Sequence, residues 1–189
     1  MPSRQEQLLD AAIDVLGTQG TRALTHRAVD AAASMPAGSA TNYFKTRDAL
    51  VSAVVARFVA RDRAAWQAIA GFVQPTSADG LAAALTGYVR RALGPERAVT
   101  VARYALFVEA ALRPELRAPL AVSAQELRTW ASDRLRAIGS ADPDRECAAL
   151  LDYVDGLLLH QLSFPGPPEA LEPMITRAVH ELCPTVTSG

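Results

Sequence analysis

Lysine is nearly missing from this chain: of nineteen basic side chains only Lys45 is a lysine, and the rest are arginines. Cysteine is scarce too. Cys147 and Cys183 stand far apart with no CxxC pair, which argues against a disulfide framework and against a zinc ligand set. No apolar run approaches the ~20 residues needed to cross a bilayer, because Asp155 and His160 interrupt the longest candidate around Leu157, Leu158 and Leu159. No secretory segment opens the chain. The expectation is a cytoplasmic protein that does not engage membranes. Charge of one sign is also missing, since the formal net charge is −1, so any contact with a polyanion must be local. No Ser/His/Asp order, glycine-rich phosphate loop or metal-ligand spacing is present, which sets enzymatic chemistry, cofactors and bound metal aside.

What is present is helical periodicity. With 189 residues, 50% of them hydrophobic, the chain can bury a sizeable core, and apolar residues recur at threes and fours. The expected fold is all-α. Ser3 to Glu6 has capping-box spacing, and Leu8, Leu9, Ala12, Ile13 and Leu16 form a stripe that Gly17 and Gly20 should end. Thr25 reads as the N-cap of a second helix over 26–33, its inward face drawn from Ala28, Val29 and Ala32. After a turn at Ser34 and Met35, Pro36 should open a third helix reaching Phe44. Thr46 should cap a long fourth helix, about 47–72. Further helices are expected near 81–93, 96–111, 115–121, 123–138, 143–163 and 168–182.

Two short helices joined by a tight turn describe a helix-turn-helix, whose second helix can enter the DNA major groove. In "SMPAGSATNYFKTRDAL", Ala40 and Phe44 can pin the reading helix inward at i and i+4, while Ala37, Gly38, Ser39 and Asn42 face outward with little bulk. Gly38 would allow close approach to DNA. Thr41, Tyr43, Lys45 and Arg47 are placed to hold phosphates, Arg27 to reach a phosphate or a guanine edge, and His26 to touch DNA. The same residues also fit a small-residue packing helix with solvated charges.

Residues 8–50, "LLDAAIDVLGTQGTRALTHRAVDAAASMPAGSATNYFKTRDAL", resemble the TetR family of one-component bacterial transcriptional regulators. That family shows an alanine-rich first helix, a glycine-containing turn, a threonine before helix 2 and a Gly-Ser/Thr, then aromatic-Phe segment followed by Ser/Thr-Lys/Arg-Glu/Asp-Ala-Leu. The resemblance implies close groove contact by Arg27, Ala37, Gly38 and Ser39 and phosphate contact by Thr25, Thr41, Asn42, Tyr43 and Arg47. Thr41 stands where the family usually has a phosphate-binding tyrosine, and Ser34 where it usually has the turn glycine. "RYALFVEAALRPELR", residues 103–117, is similar to the helix 6 to helix 7 region of some members.

It further implies a DNA-binding domain over 1–47, and a helical domain over 48–189 that binds a small-molecule effector and forms a homodimer on a palindromic double-stranded operator. Broad apolar faces expected to make the dimer run through Leu150, Leu151, Val154, Leu157 and Leu158 and through Ile175, Val179 and Leu182. An ordinary monomer core is the competing reading of both. Trp66, Tyr88, Tyr104, Phe107, Trp130 and His160 are the aromatic candidates for an effector chamber, or simple core. The expected function is a repressor released by an apolar or amphipathic effector. The alternative is a helical small-molecule-binding protein whose helix-turn-helix is structural.

Overall fold

The computed structural model describes residues 2–186, and among these the secondary structure is helical throughout, without a strand. The first three helices are α1 (Arg4–Gln19), α2 (His26–Ala32) and α3 (Ser39–Tyr43), followed by the long α4 (Arg47–Ala70). Then come α5 (Ala78–Leu93), α6 (Arg97–Leu112), α7 (Arg117–Ala137), α8 (Pro143–Ser163) and α9 (Leu171–Leu182). Short 3-10 turns precede α7 and α9, at Pro114–Leu116 and Pro168–Ala170. The two helices expected over 115–121 and 123–138 are one: Ser123 is buried within the continuous α7, and Pro119 falls in its first turn, where proline is tolerated. No helix among the described residues is long and apolar enough to cross a membrane.

Packing divides the chain into two compact units, one running to Ala64 and taking in Glu96–Ser123, the other made of Ala65–Pro95 and the chain from Ala124 onward. α4 and α7 each pass from one unit into the other. These units are cut differently from a division at residue 47, because α6 packs with the N-terminal helices.

In the first unit α1 is the hub. Ser3 caps it: the Glu6 N–H donates to the Ser3 hydroxyl oxygen at 3.2 Å while the Ser3 N–H donates to the Glu6 carboxylate at 2.7 Å. Leu8, Leu9, Ala12, Ile13 and Leu16 enter a core completed by Leu24, Val29, Ala40 and Phe44, by Leu50, Val51, Val54, Val55 and Phe58 of α4, and by Ala102, Leu106 and Ala110 of α6. Gly17 does not end α1, which continues to Gln19 before Gly20 closes it at φ 82°. Gly17 instead admits α6, since a Cβ built there would lie 2.0 Å from the Ala98 carbonyl oxygen.

In the second unit α5, α8 and α9 pack together. α5 buries a face of small residues at helical spacing, Ala78, Ala82, Thr86, Val89 and Ala92, and α8 and α9, which pack on it, bury Leu150, Val154, Leu157 and Leu158 and Leu171, Ile175 and Val179. Cys147 and Cys183 are buried free thiols, and burial pushes Cys183 up to about 12, the inert end of thiol behaviour.

The Gly17 contact is with backbone, which cannot move aside as a side-chain tip can. Gly17→Ala should therefore destabilise the protein by about 1–3 kcal/mol, read as a lowered urea midpoint; an alanine variant as stable as the parent would show that α6 does not sit this close to α1.

Candidate nucleic-acid interface

Thr25 starts α2 as expected, exposed and with its hydroxyl oxygen accepting the Ala28 N–H at 3.2 Å. α2 is closed by a turn in which Ser34 adopts φ 53°, so serine here takes the left-handed conformation that favours glycine. α3 then begins at Ser39 and not at Pro36. Gly38 is its N-cap, at φ 90°, and a Cβ there would meet nothing within 4 Å. The glycine therefore serves a backbone conformation closed to most residues.

Asp30 supplies what Gly38 lacks. Its carboxylate, on α2 and 3% exposed, accepts the Gly38 N–H through Oδ2 and the Ala40 N–H through Oδ1, both at 2.7 Å. At the other end of α3, His26 Nε2 lies 2.7 Å from the Phe44 carbonyl oxygen, and because a carbonyl only accepts, that nitrogen carries the proton. His26 thus turns inward to the protein instead of outward to DNA. Residues 26, 29, 30 and 33 share one helical face by i, i+3, i+4, i+7 spacing, and this face, not that of Ala28 and Ala32, is the inner one: Val29 and Asp30 are buried while Ala32 is exposed. Spacing held this signal, and the assumption that inward means apolar hid it.

Ala40 and Phe44 are buried, at 0% and 4%, as their spacing predicts. Arg27, Ala37, Gly38, Thr41, Asn42, Tyr43, Lys45 and Arg47 are exposed, and Ser39 is half-exposed. The Ser39 hydroxyl donates to the Pro36 carbonyl at 2.6 Å, so it faces outward only as an acceptor. Arg47 makes one long bond, 3.3 Å, to the Thr21 carbonyl. The surface is small and apolar at Ala37 and Gly38, hydroxyl- and amide-bearing at Thr41 and Asn42, and cationic at its edges.

The head is fastened to α4 by charge. Arg57 grips Asp10 with two hydrogen bonds of 2.8 Å and reaches Glu6 at 3.0 Å, and Arg61 adds a bond of 3.1 Å to Asp10. Hydrogen bonding from Arg57 holds the Asp10 carboxyl below its ordinary value against the opposing effect of partial burial.

Residues 8–54 match the family described as bacterial regulatory proteins, tetR family, and residues 76–183 match the tetracyclin repressor-like C-terminal domain. The chain belongs to the TetR family. Members are DNA-binding transcription factors and not enzymes, so this chain is a DNA-binding transcriptional regulator. The HTH-type transcriptional regulator BetI of Rhizobium meliloti (strain 1021) is 30% identical over 164 residues, 85% of this chain and 78% of that one. A transcriptional regulator from Rhodococcus sp. Rha1 shares the fold, with a TM-score of 0.79 at 24% identity over 99% of this chain and 100% of that one. The multidrug binding protein EbrR, in complex with ethidium, aligns at 28% identity and a TM-score of 0.69 over 93% of this chain and 98% of its own.

The residues chosen for a dimer face and an effector chamber are distributed otherwise than spacing suggested. Leu150, Val154, Leu157, Leu158, Ile175 and Val179 are buried within the single chain, covered by its own helices; only Leu151 and Leu182 are half-exposed. Within the single chain these six buried side chains are part of the core. Trp66 and Trp130 pair at 6.1 Å in the second unit, where Tyr88 is half-buried, whereas Tyr104 and Phe107 meet edge-on at 5.9 Å in the first. His160 is exposed on α8 beside Phe164.

Because Asp10 sits below 3.8 in the fold, its charged form adds stability that is fully present above that unfolded value and is lost as pH falls through the folded one. Arg57→Met should lower stability at neutral pH by about 1 kcal/mol and narrow the gap between neutral and acid unfolding midpoints; an unchanged gap would count against the clamp.

Proposed function

We propose that this regulator is a homodimeric repressor that reads a palindromic operator with α3 and releases it when an apolar or amphipathic effector binds the helical region over residues 48–189. The observation that carries the reading is the exposed surface around a pinned α3: Arg27 on α2, Ala37, Gly38 and Ser39 address the groove, and Thr25, Thr41, Asn42, Tyr43, Lys45 and Arg47 address phosphates. Tyr43, 48% exposed, takes the phosphate role that Thr41 is too short to fill as a tyrosine would. The head over residues 1–47 acts in the cytoplasm on double-stranded DNA.

Two reading helices must lie about 34–36 Å apart to enter successive major grooves on one face of the duplex. The partner face is drawn from the outer side of α8 and α9. There Gly156 has open space at its Cβ position, Leu159 is 51% exposed, Met174 is 43% exposed, and Tyr153 donates its hydroxyl to the Met174 carbonyl at 3.3 Å, which joins the two helices at that surface. The aromatic pair Trp66 and Trp130 supports an effector with a flat aromatic body, as the planar cations ethidium and proflavin bound by EbrR have. Effector binding changes operator affinity only through its different affinity for the two conformations.

Arg47→Ala should weaken binding to every duplex and reduce the salt slope by about one, measured by titrations across a salt series; identical slopes would remove Arg47 from the interface. Leu159→Asp should convert the dimer to monomer in sedimentation without loss of helicity, and a dimer that survives the change would place the partner contact elsewhere.

A further inference from the structure

Two acidic side chains are buried among the described residues, Asp30 and Glu146, and their uses differ. The Glu146 carboxylate accepts from the Ser140 hydroxyl at 2.6 Å and lies 3.5 Å from that of Thr185. Asp30 spends both oxygens on backbone, and both bonds go to the reading segment. Its partners are the N-cap residue and the second residue of a helix only five residues long. Those N–H groups have no acceptor within α3, because the first N–H groups of any helix lack one, and Gly38 has no side chain to provide it. A carboxylate brought from α2 stands where a cap side chain would.

Geometry makes this more than a cap. Hydrogen bonds tolerate only a few tenths of an ångström and a narrow range of angles. Two of them from one short, buried side chain therefore fix both the distance of α3 from α2 and its rotation about its own axis. His26 repeats the constraint at the C-terminal end through the Phe44 carbonyl. The roll of α3 sets how Ser39, with Ala37 and Gly38 just before it, meets the groove, whereas Thr25, Lys45 and Arg47 lie in flanking segments and reach phosphates regardless.

We infer that Asp30 is a specificity-positioning residue: without touching DNA, it sets the roll of the reading helix, so its loss weakens binding to a preferred sequence far more than binding to duplex in general. The inference rests on the DNA-interface reading above, but the clamp itself can be measured without DNA.

The test substitutes Asp30→Asn, which keeps the volume and one acceptor oxygen but turns an amide N–H2 toward a backbone N–H. The probes are the duplex that the parent protein enriches from a random-sequence pool and a shuffled duplex of equal length. Amide exchange at Gly38 and Ala40 is followed by NMR in the full-length protein. Affinity for the enriched duplex should fall by about 10- to 100-fold, the range for a hydrogen bond to a charged group, while the shuffled duplex changes by less than about twofold. Exchange at Gly38 and Ala40 should speed up by about tenfold, with amides in the middle of α1 unchanged. Asp30→Ser, whose hydroxyl can accept one of the two bonds, should give an intermediate loss, and it replaces the asparagine variant if that one does not fold. Equal losses on both duplexes, unchanged exchange, or unfolding of both variants would each overturn the role, the last by showing that the carboxylate holds the whole unit and not the helix's angle. If the parent enriches no duplex, the DNA reading falls and the specificity role with it, whatever the exchange rates show.

Discussion

A helix of five residues does not stand alone. Nucleation fixes several dihedrals for each hydrogen bond gained, so a segment as short as α3 owes its shape to what surrounds it. Here the support is of two kinds. Ala40 and Phe44 sink into a core shared with α1 and α4, which holds the helix down. Asp30 and His26 catch its two ends, which holds it in rotation. With all four constraints on the inner side, the exposed side chains of Thr41, Asn42 and Tyr43 are left to chemistry.

That division of labour explains what was legible beforehand. Ala40 and Phe44 announced themselves by i, i+4 spacing, and the exposed set followed as the remainder. His26 and Asp30 lie on the inner face by the same arithmetic, yet both look like surface residues because buried polar groups are rare unless their hydrogen bonds are met. No sequence pattern shows that backbone N–H groups eight and ten residues away will meet Asp30, or that the Phe44 carbonyl will meet His26. Gly38 was read as small when its decisive property is a φ of 90°, and Ser34 shows the same conformation carried by a residue with a Cβ. Gly17 was read as a terminator because helix breaking and close packing share one residue type, and only the neighbouring backbone tells them apart.

The second unit was legible in outline and not in use. α8 and α9 fell where their breaks predicted, but an apolar stripe says only that something covers it. α5 is that cover, and its face of alanines, a threonine and a valine allows two leucine-rich helices to approach closely enough to close over their own apolar sides. What remains outside is therefore a better guide to partners than the stripe itself. A surface of Gly156, Leu159 and Met174 is apolar without being needed by the monomer, whereas Leu158 and Val179, both 0% exposed, have no surface left to give.

α6 belongs with the reading head by packing, and this constrains how the two states of such a regulator can differ. The backbone of α6 rests on α1 at Gly17 with no room for a methyl group, and α6 is tied to α4 by ion pairs of Arg103 with Asp62 and of Arg113 with Asp48. α1 in turn packs on α2 and α3 and is gripped by Arg57 and Arg61 of α4. Close-packed contacts of this kind do not stretch; they either hold or break. A head that flexed on α6 would have to break several at once, so the cheaper motion carries α1, α2, α3 and α6 together as one body. The chain leaves that body at three places, within α4 after Ala64, within α7 after Ser123, and at the Pro95–Glu96 junction that precedes α6.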